Sequence, residues 1–332
     1  MRYTILITGI AGLFGNNFAR YLLGKNYNIV GIDNFSGGYK ENLPDGVDFI
    51  NVDLTDRETI NNIFCRIKPD YVYHFAAYAA EGLSHHARYF NYQNNTLAST
   101  NVISACVNAG CKKIIFTSSM AVYGDFYSPP FTEEMLPNPI DPYGISKYAT
   151  ELDLKTANSY FDLDYTIIRP HNVIGKYQNI WDKYRNVIGI WVRQIIDNKP
   201  ITIFGDGSQK RAFTDIRSYN QPMEKLMNQC SKEIINIGSD NPITIKNAAE
   251  IVKTCAHNFG FNPDIQYLEK RKEAQFAYCN HAKAKELLGF VDNTILENTV
   301  NEMFEWALSQ PKREVKMMNY EIEKGIYSYW KQ

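Results

Sequence analysis

The chain has no excess charge of either sign and no long hydrophobic run, and both absences narrow what it can do. Its 332 residues carry 35 Lys and Arg against 36 Asp and Glu, with the two signs interspersed. Such a surface offers no basic patch for nucleic acid or an anionic membrane. No apolar stretch approaches the ~20 residues that a membrane-spanning helix needs. Composition therefore predicts a small-molecule partner.

The chain also lacks the cysteine and histidine patterns of metal and disulfide sites. Its six cysteines are scattered without a C-x-x-C pair, which disfavours a zinc site or a disulfide framework. Adjacent His85 and His86 diverge on any regular element and have no acidic or thiol cluster beside them, so no metal is expected. The first strand begins at about Tyr3 and leaves no room for a signal peptide. We expect reduced thiols and a cytoplasmic protein.

A glycine-rich turn joins the first predicted strand to the first predicted helix. The β-branched run 2–8 stops at Gly9, and an apolar pattern of helical period follows. Gly9, Gly12 and Gly15 have the spacing G-x-x-G-x-x-G. Glycine there permits a tight turn, backbone approach to a pyrophosphate and close helix–strand packing, with phosphates at the helix N-terminus. The turn predicts a dinucleotide site; a purely structural glycine turn is the alternative.

A carboxylate ends the second predicted strand. Asp33 follows the strand 28–32 at about the expected distance beyond the glycines. A carboxylate there accepts hydrogen bonds from both adenosine ribose hydroxyls and repels a 2′-phosphate. No Lys or Arg follows until Lys40, so NAD is favoured over NADP. The alternative is an Asp that only starts the turn 34–38.

Strands and helices alternate through the first half of the chain. Further predicted elements are strands 47–52, 71–75 and 112–117, a helix from Thr55 to about Arg66, and a helix from about Ala87 to Ala109. This alternation predicts an α/β fold of Rossmann type, a doubly wound parallel sheet whose ligands lie at the carboxyl ends of the strands. His74, inside an apolar strand, is interpreted as a core histidine with satisfied hydrogen bonds.

A tyrosine and a lysine four residues apart form a candidate proton-transfer pair. Tyr143 and Lys147 share one face of the predicted helix, and Asp141-Pro142 is a good start for that helix. A nearby ammonium and the helix N-terminus both favour a phenolate, so we expect a lowered pKa for Tyr143. A half-exposed tyrosine on an amphipathic helix is the alternative.

The chain resembles the extended short-chain dehydrogenase/reductase family in a set of motifs that occur in the same order: the glycine turn, Asp33, Asp53-Leu54, Ala76-Ala77, Ser119 and the Tyr143/Lys147 pair. More narrowly, it resembles the nucleotide-sugar epimerases and 4-dehydrogenases of that family. The resemblance implies that Tyr143 is the base, Lys147 its ribose-binding partner and Ser119 the group that orients the reacting oxygen. It implies an NAD site formed by Gly9, Gly12, Leu13, Phe14, Gly15, Asp33, Asp53, Leu54, Ala76, Ala77, Asn95, Tyr143, Lys147 and Pro170. It implies a sugar-nucleotide site formed by Ser119, Asn172, Asn186, Arg211 and Arg271.

The residues after Ser119 narrow the set of reactions that the resemblance allows. Related 4,6-dehydratases carry acidic residues there and 3,5-epimerases a nearby Cys, whereas this chain has Met120-Ala121, which transfer no proton at neutral pH. The resemblance then implies oxidation of the sugar at C4. A nucleotide-sugar 4-epimerase is the first choice of activity. The alternative is a 4-dehydrogenase releasing the keto sugar, for example a GDP-heptose 4-dehydrogenase of surface-polysaccharide synthesis. A non-catalytic NAD-binding regulator is a distant third.

The resemblance also implies a domain plan. Residues 1–170 are expected to form the NAD-binding domain, with 212–240 returning to it. Residues 171–211 and 241–332 are expected to form a smaller α/β domain for the sugar nucleotide, and homodimerisation is expected through helices 87–109 and 141–161. Ala212 and the aromatic insert 177–185 depart from the family pattern and put UDP-galactose in doubt. The tail 312–332 matches nothing, and helical surface packing or an oligomer contact is its simplest interpretation.

Overall fold

A computed structural model describes residues 2–271 and 273–331. Its strands are β1 Tyr3–Thr8, β2 Tyr27–Asp33, β3 Asp48–Asn51, β4 Tyr71–His74, β5 Lys113–Thr117, β6 Asp164–Pro170, β7 Val173–Ile174, β8 Ile201–Phe204, β9 Lys210–Arg211, β10 Thr214–Asp215, β11 Glu233–Ile237, β12 Ile243–Thr244, β13 Ile265–Leu268 and β14 Phe276–Ala277. Its α-helices are α1 Leu13–Leu22, α2 Arg57–Ile67, α3 Glu81–Ser84, α4 Arg88–Tyr92, α5 Ala98–Ala109, α6 Pro142–Phe161, α7 Val187–Ile196, α8 Asn220–Lys225, α9 Ile245–His257, α10 Ala282–Leu288 and α11 Leu296–Leu308. Short 3₁₀ segments cover Lys40–Asn42, Met120–Tyr123, Ile216–Tyr219 and Ser328–Lys331, and a π-helical turn covers Gln93–Leu97.

Seven parallel strands form the central sheet in the order β3-β2-β1-β4-β5-β6-β11. The central strands are continuous apolar runs because both faces of a parallel sheet are covered by helices. One face packs in a cluster that includes Phe18, and the other packs in a cluster that includes Phe64. The Rossmann-type doubly wound fold predicted from the sequence is confirmed.

A second lobe lies beyond the carboxyl ends of these strands. Helices α7, α9 and α11 pack around a core that contains Trp191 and Phe304. Small sheets complete the lobe: β8 pairs with β13, and β9 pairs with both β12 and β14. Strand β11 lies beside β6 in the central sheet, so the chain returns there after its first visit to the lobe.

Two predicted elements differ in detail from the structure. Asp56, not Thr55, caps α2, because its carboxylate accepts a hydrogen bond of 3.1 Å from the Thr59 amide. The single helix expected over 87–109 is divided into α4, the π-helical turn and α5. The turn accommodates one wider loop of backbone without ending the helical path. None of the helices in the described part of the chain is long and apolar enough to cross a bilayer.

His74 is the core histidine that the sequence predicted, and its burial makes stability depend on pH. Its ring nitrogens contact the Thr8 hydroxyl at 2.7 Å and the Ser99 hydroxyl at 2.9 Å. Burial, with the nearby Lys147 charge, lowers the pKa of His74 to about 3. Between that value and the ordinary pKa near 6.5, the unfolded chain binds a proton that the folded chain does not. His74 therefore costs stability as the pH falls through this window.

We expect His74→Gln to reduce the acid sensitivity of folding. The contribution of one such histidine to the free energy of unfolding falls by about 1.4 kcal/mol per pH unit below pH ~6. Urea denaturation of the wild type and the variant at pH 7.5 and pH 5 measures the difference. Equal pH dependence in the two proteins would contradict a neutral buried His74.

Candidate active site

A cleft of about 550 Å³ lies between the carboxyl ends of the sheet and the second lobe. Most residues predicted for the site line it: Gly9, Gly12, Leu13, Phe14, Asp33, Asp53, Leu54, Ala76, Ala77, Ser119, Tyr143, Lys147, Pro170, Asn172, Asn186, Arg211 and Arg271. Gly15 and Asn95 lie behind the wall. The Asn95 amide instead holds the backbone of Tyr78, accepting from its N–H at 2.8 Å and donating to its carbonyl at 3.2 Å.

The glycine turn forms a cradle that side chains would fill. Gly9 has a φ of +71°, and a Cβ there would lie 2.8 Å from the Ala76 Cα. A Cβ on Gly15 would lie 2.3 Å from the Gly9 carbonyl oxygen. Gly12 precedes α1, and no side chain caps that helix, so its first N–H groups are available at the cleft. An open helix N-terminus with close backbone access fits a dinucleotide pyrophosphate.

We expect Gly15→Ala to abolish cofactor binding. The new methyl group would overlap the Gly9 carbonyl, so the turn and α1 must separate and the phosphate cradle opens. Titration with NAD, followed by calorimetry, measures the loss. Gly24→Ala is the matched control, because a Cβ there meets nothing within 4 Å although its φ of +85° strains the backbone. Equal NAD affinity in Gly15→Ala and the control would contradict the cradle.

Asp33 and Asp53 line the cleft, Asp33 as the last residue of β2 and Asp53 shortly after β3. Asp33 accepts hydrogen bonds from the Ala11 amide at 2.9 Å and the Phe35 amide at 2.7 Å, so it also braces the glycine turn. Burial raises the pKa of Asp33 above its ordinary value despite these bonds. Burial also acts to raise the pKa of Asp53, but hydrogen bonds from Thr55 and Asn34 outweigh it and leave that pKa lowered.

Tyr143 lies in the first turn of α6, as the sequence predicted. The Asp141 carboxylate accepts a hydrogen bond of 2.9 Å from the Gly144 amide, and Pro142 occupies the first helical position. Only 6% of the Tyr143 surface is exposed. The lowered pKa expected for this phenol is wrong. Burial and the Glu81 charge raise the pKa of Tyr143, and these outweigh the opposing effect of a hydrogen bond with Ser119.

Lys147 is buried one turn further along α6. Its ammonium donates to the Thr117 carbonyl at 2.8 Å and lies 5.8 Å from the centre of the Tyr143 ring. Burial lowers the pKa of Lys147 to about 7, although the Glu151 carboxylate acts in the opposite direction. Any anion or phenolate beside this amine would favour its charged form.

Ser119 follows β5 and starts the 3₁₀ segment that contains Met120 and Ala121. Its hydroxyl accepts a hydrogen bond of 3.1 Å from the Ala121 amide, which fixes the oxygen at the cleft wall. Met120 and Ala121 also line the cleft and carry no ionisable group. Ser119 also forms a hydrogen bond with Tyr143 at this wall.

Two arginines, Arg211 and Arg271, line the part of the cleft that the second lobe forms. Glu273 bridges Arg211 at 3.2 Å and Arg271 at 3.4 Å. A guanidinium pair held in this way can bind a diphosphate through paired N–H groups. Asn172 lies nearer the sheet, and its buried amide nitrogen has no hydrogen-bond partner. Asn186 already uses its amide to cap α7 and to bond the Val173 carbonyl. Lys272 lies outside the described residues.

Sequence reasoning missed a partly buried arginine next to the turn 34–38. The Arg185 guanidinium lies 3.0 Å from the Asp182 carboxylate and 4.3 Å from the centre of the Tyr78 ring. One of its nitrogens lies 2.6 Å from where a Cβ of Gly37 would be. The insert 177–185 gave no local sign of the contacts with Tyr78 and Gly37, because they join residues about 100 to 150 positions apart.

The C-terminal tail forms part of the cleft wall. Tyr327, Tyr329 and Trp330 line it, and Trp330 is 2% exposed. Trp330 packs edge-on against Tyr184 at 5.3 Å, and its carbonyl accepts a hydrogen bond of 3.1 Å from Lys183. The expectation of helical surface packing is wrong for the described tail, which is irregular except for its last short 3₁₀ turn.

A glycine turn at an uncapped helix N-terminus, a carboxylate at the end of β2 and a serine–tyrosine–lysine set line one cleft. This is the arrangement of a dinucleotide-dependent enzyme of the extended short-chain dehydrogenase/reductase type. A model of the NAD dependent epimerase/dehydratase family matches residues 5–238, and the chain belongs to that family. It is an NAD-dependent enzyme.

Known proteins similar to this chain include several 4-epimerases. The UDP-glucuronate 4-epimerase of Thermodesulfobacterium geofontis is 27% identical over 91% of this chain and 95% of its own length. The structure of a Thermotoga maritima UDP-glucose 4-epimerase with UDP-glucose has a TM-score of 0.86 at 29% identity, covering 92% of this chain and 98% of that one. A Bacillus cereus UDP-glucuronic acid 4-epimerase, with UDP-glucuronic acid and NAD, has a TM-score of 0.81 at 26% identity, covering 91% and 98%.

Proposed function

We propose that this enzyme oxidises C4 of a nucleoside-diphosphate sugar and acts as a nucleotide-sugar 4-epimerase. The observation that carries the proposal is that Tyr143 lines the same cleft as the glycine turn and the arginine pair of the second lobe. A sugar diphosphate held by those arginines would bring its ring to the phenol. The similar 4-epimerases support the same reaction class.

Ser119, Tyr143 and Lys147 have separate roles in the proposed proton transfer. Ser119 hydrogen-bonds the C4 hydroxyl, and Tyr143 removes its proton. NAD, when bound, supplies the hydride acceptor and a cationic ring that favours the phenolate. Lys147 would hold the nicotinamide ribose, and its positive charge would favour the phenolate form of Tyr143. Closure of the cleft by the tail excludes water from the reacting atoms.

Return of the hydride to the other face of the ketone makes the reaction an epimerisation. Met120 and Ala121 support redox without elimination or racemisation at a neighbouring carbon, since neither transfers a proton. The 4-dehydrogenase remains the second candidate because one observation favours it. Trp330 and Tyr184 pack together at the cleft wall, and a rigid wall there would oppose the turning of a keto sugar.

Product analysis distinguishes the two reactions. The NAD-loaded enzyme is incubated with UDP-, GDP- and dTDP-sugars, and both nicotinamide absorbance and the configuration at C4 are followed. Inversion at C4 without net reduction of the nicotinamide is the expected result. Stoichiometric NADH with a released 4-keto sugar would overturn the epimerase in favour of the dehydrogenase.

We further propose that the enzyme is a homodimer paired through α4, α5 and α6. Large apolar side chains are exposed on these elements and on the turn between α4 and α5: Tyr89, Leu97, Ile145, Leu152 and Tyr160. Apolar groups of this number along one set of helices favour a protein interface. Analytical ultracentrifugation is expected to give a dimer, and a double substitution Leu152→Glu/Ile145→Glu is expected to give a monomer. A wild-type monomer would contradict the pairing.

A further inference from the structure

Glu81 is an acidic group in the cleft that the reaction at C4 does not use. It is the first residue of α3, which follows the strand end that carries Ala76 and Ala77, and it lines the cleft together with His85. The Glu81 carboxylate forms no hydrogen bond or ion pair with another described side chain. It is therefore available to a ligand.

Glu81 lines the same cleft as Tyr143, Arg211 and Arg271. On one side it raises the pKa of the Tyr143 phenol. On the other side its own pKa responds to Arg211 and Arg271, behind the larger effects of burial and of the Asp141 charge. A sugar whose C4 reaches Tyr143 and whose diphosphate reaches the arginines spans this interval, and Glu81 lies beside its ring.

The surroundings of Glu81 include the C-terminal tail and the Asp141 carboxylate. Trp330 of the tail packs over the adjacent Gly82, where an added Cβ would lie 3.1 Å from the indole ring. Desolvation within the cleft and the neighbouring Asp141 charge raise the pKa of Glu81 to about 7, although its side chain keeps an exposed surface.

We propose that Glu81 selects the substrate by charge, accepting neutral sugars that present hydroxyl groups to it and rejecting sugars that carry a carboxylate. This inference rests on the proposed function and narrows its substrate class. It separates this chain from its relatives named as UDP-glucuronate 4-epimerases. Two like charges ~5 Å apart, at an effective dielectric constant of ~20, weaken binding by ~100-fold or more. Hydroxyl groups instead donate to the carboxylate.

Matched sugar nucleotides that differ only in oxidation at C6 test the proposal. The NAD-loaded enzyme is compared on UDP-glucose and UDP-glucuronate, and on GDP-mannose and GDP-mannuronate. The wild type is expected to favour the neutral member of at least one pair by ~100-fold in kcat/KM. Glu81→Gln is expected to reduce that preference at least tenfold by improving the uronate. Glu58→Gln, at the exposed start of α2, is the matched control and keeps the wild-type preference.

Several outcomes would overturn charge selection. An unchanged preference in Glu81→Gln is one, and a wild type that favours or equally accepts the uronates is another. A 100-fold loss of kcat on neutral sugars at unchanged KM in Glu81→Gln would instead make Glu81 a proton-transfer group. Failure of the proposed function is recognised separately, because calorimetry measures the preference in binding even where no sugar is turned over. Absence of binding to all four sugars counts against the inference.

The pH dependence of substrate discrimination distinguishes selection by the charge of Glu81 from a role in packing alone. Ionisation of Glu81 is expected to increase discrimination against the uronate between pH 6 and pH 8. The groups that face it are Asp141, Tyr143, His85, Arg211, Arg271 and Glu273. A discrimination that rises with pH in the wild type and is flat in Glu81→Gln supports the inference. Parallel profiles would contradict it.

Discussion

Tyr143→Phe is expected to lower kcat by ~10³-fold, within the range of general acid–base catalysis, while NAD still binds. The phenol oxygen is the group that removes the C4 hydroxyl proton, and its loss leaves the ring packed in the same buried position. Cofactor affinity should change little, because the phosphate cradle and Asp33 are untouched. Steady-state turnover with a nucleotide sugar and calorimetric titration with NAD measure the two effects.

The same helix offers a matched control for this substitution. Tyr148 is the residue after Lys147 and does not line the cleft, so Tyr148→Phe should keep wild-type turnover. Tyr143→Phe with more than a tenth of wild-type kcat would remove Tyr143 from the chemistry. Loss of both turnover and NAD binding would instead indicate a damaged fold, which circular dichroism distinguishes.

Glu151→Gln is expected to destabilise the enzyme by about 3–5 kcal/mol. The Glu151 carboxylate is fully buried and accepts two hydrogen bonds from Arg169, at 2.6 and 2.9 Å, and one from Ser118 at 2.5 Å. Neutralising it leaves the Arg169 guanidinium buried without its counter-charge. Because this pair joins α6 to β6, its loss loosens the helix that carries Tyr143 and Lys147. Urea denaturation at pH 7.5 measures the change.

Removing both charges together separates the cost of an unpaired charge from the net value of the pair. We expect Glu151→Leu/Arg169→Met to recover most of the stability, because apolar residues of similar size commonly replace a buried ion pair at little cost. A double variant as unstable as Glu151→Gln would contradict this explanation. It would indicate that the Ser118 hydrogen bond, rather than the ion pair, carries the stability.

The parts of the site that the sequence predicted are those set by local chain geometry. The glycine turn, Asp33 at a strand end and the Asp141-Pro142 helix start each depend on residues within about one turn of one another. The alternation of strands and helices then brings the strand ends to one edge of the sheet. Local spacing therefore predicted both the cofactor side of the cleft and the fold.

The parts that the sequence missed depend on distant contacts. The pKa of Tyr143 is raised by burial and by Glu81, which lies about sixty residues earlier. Residue spacing along α6 predicts that Lys147 lies near Tyr143, but it does not predict the burial of the Tyr143 phenol. The tail lacks any helical or strand periodicity, and only its packing against Tyr184 in the folded chain brings Trp330 to the cleft. The substrate side of the site is accordingly the side that sequence reasoning predicted least.

Hydride transfer from C4 is measured most directly by rapid mixing of the NAD-loaded enzyme with a nucleotide sugar that carries deuterium at C4. We expect bound nicotinamide to be reduced in the first turnover, more slowly than with the protium sugar, and Tyr143→Phe to remove this phase. Turnover without nicotinamide reduction, or with deuterium lost to water instead of retained by the cofactor or the sugar, would contradict C4 oxidation by Tyr143 and NAD.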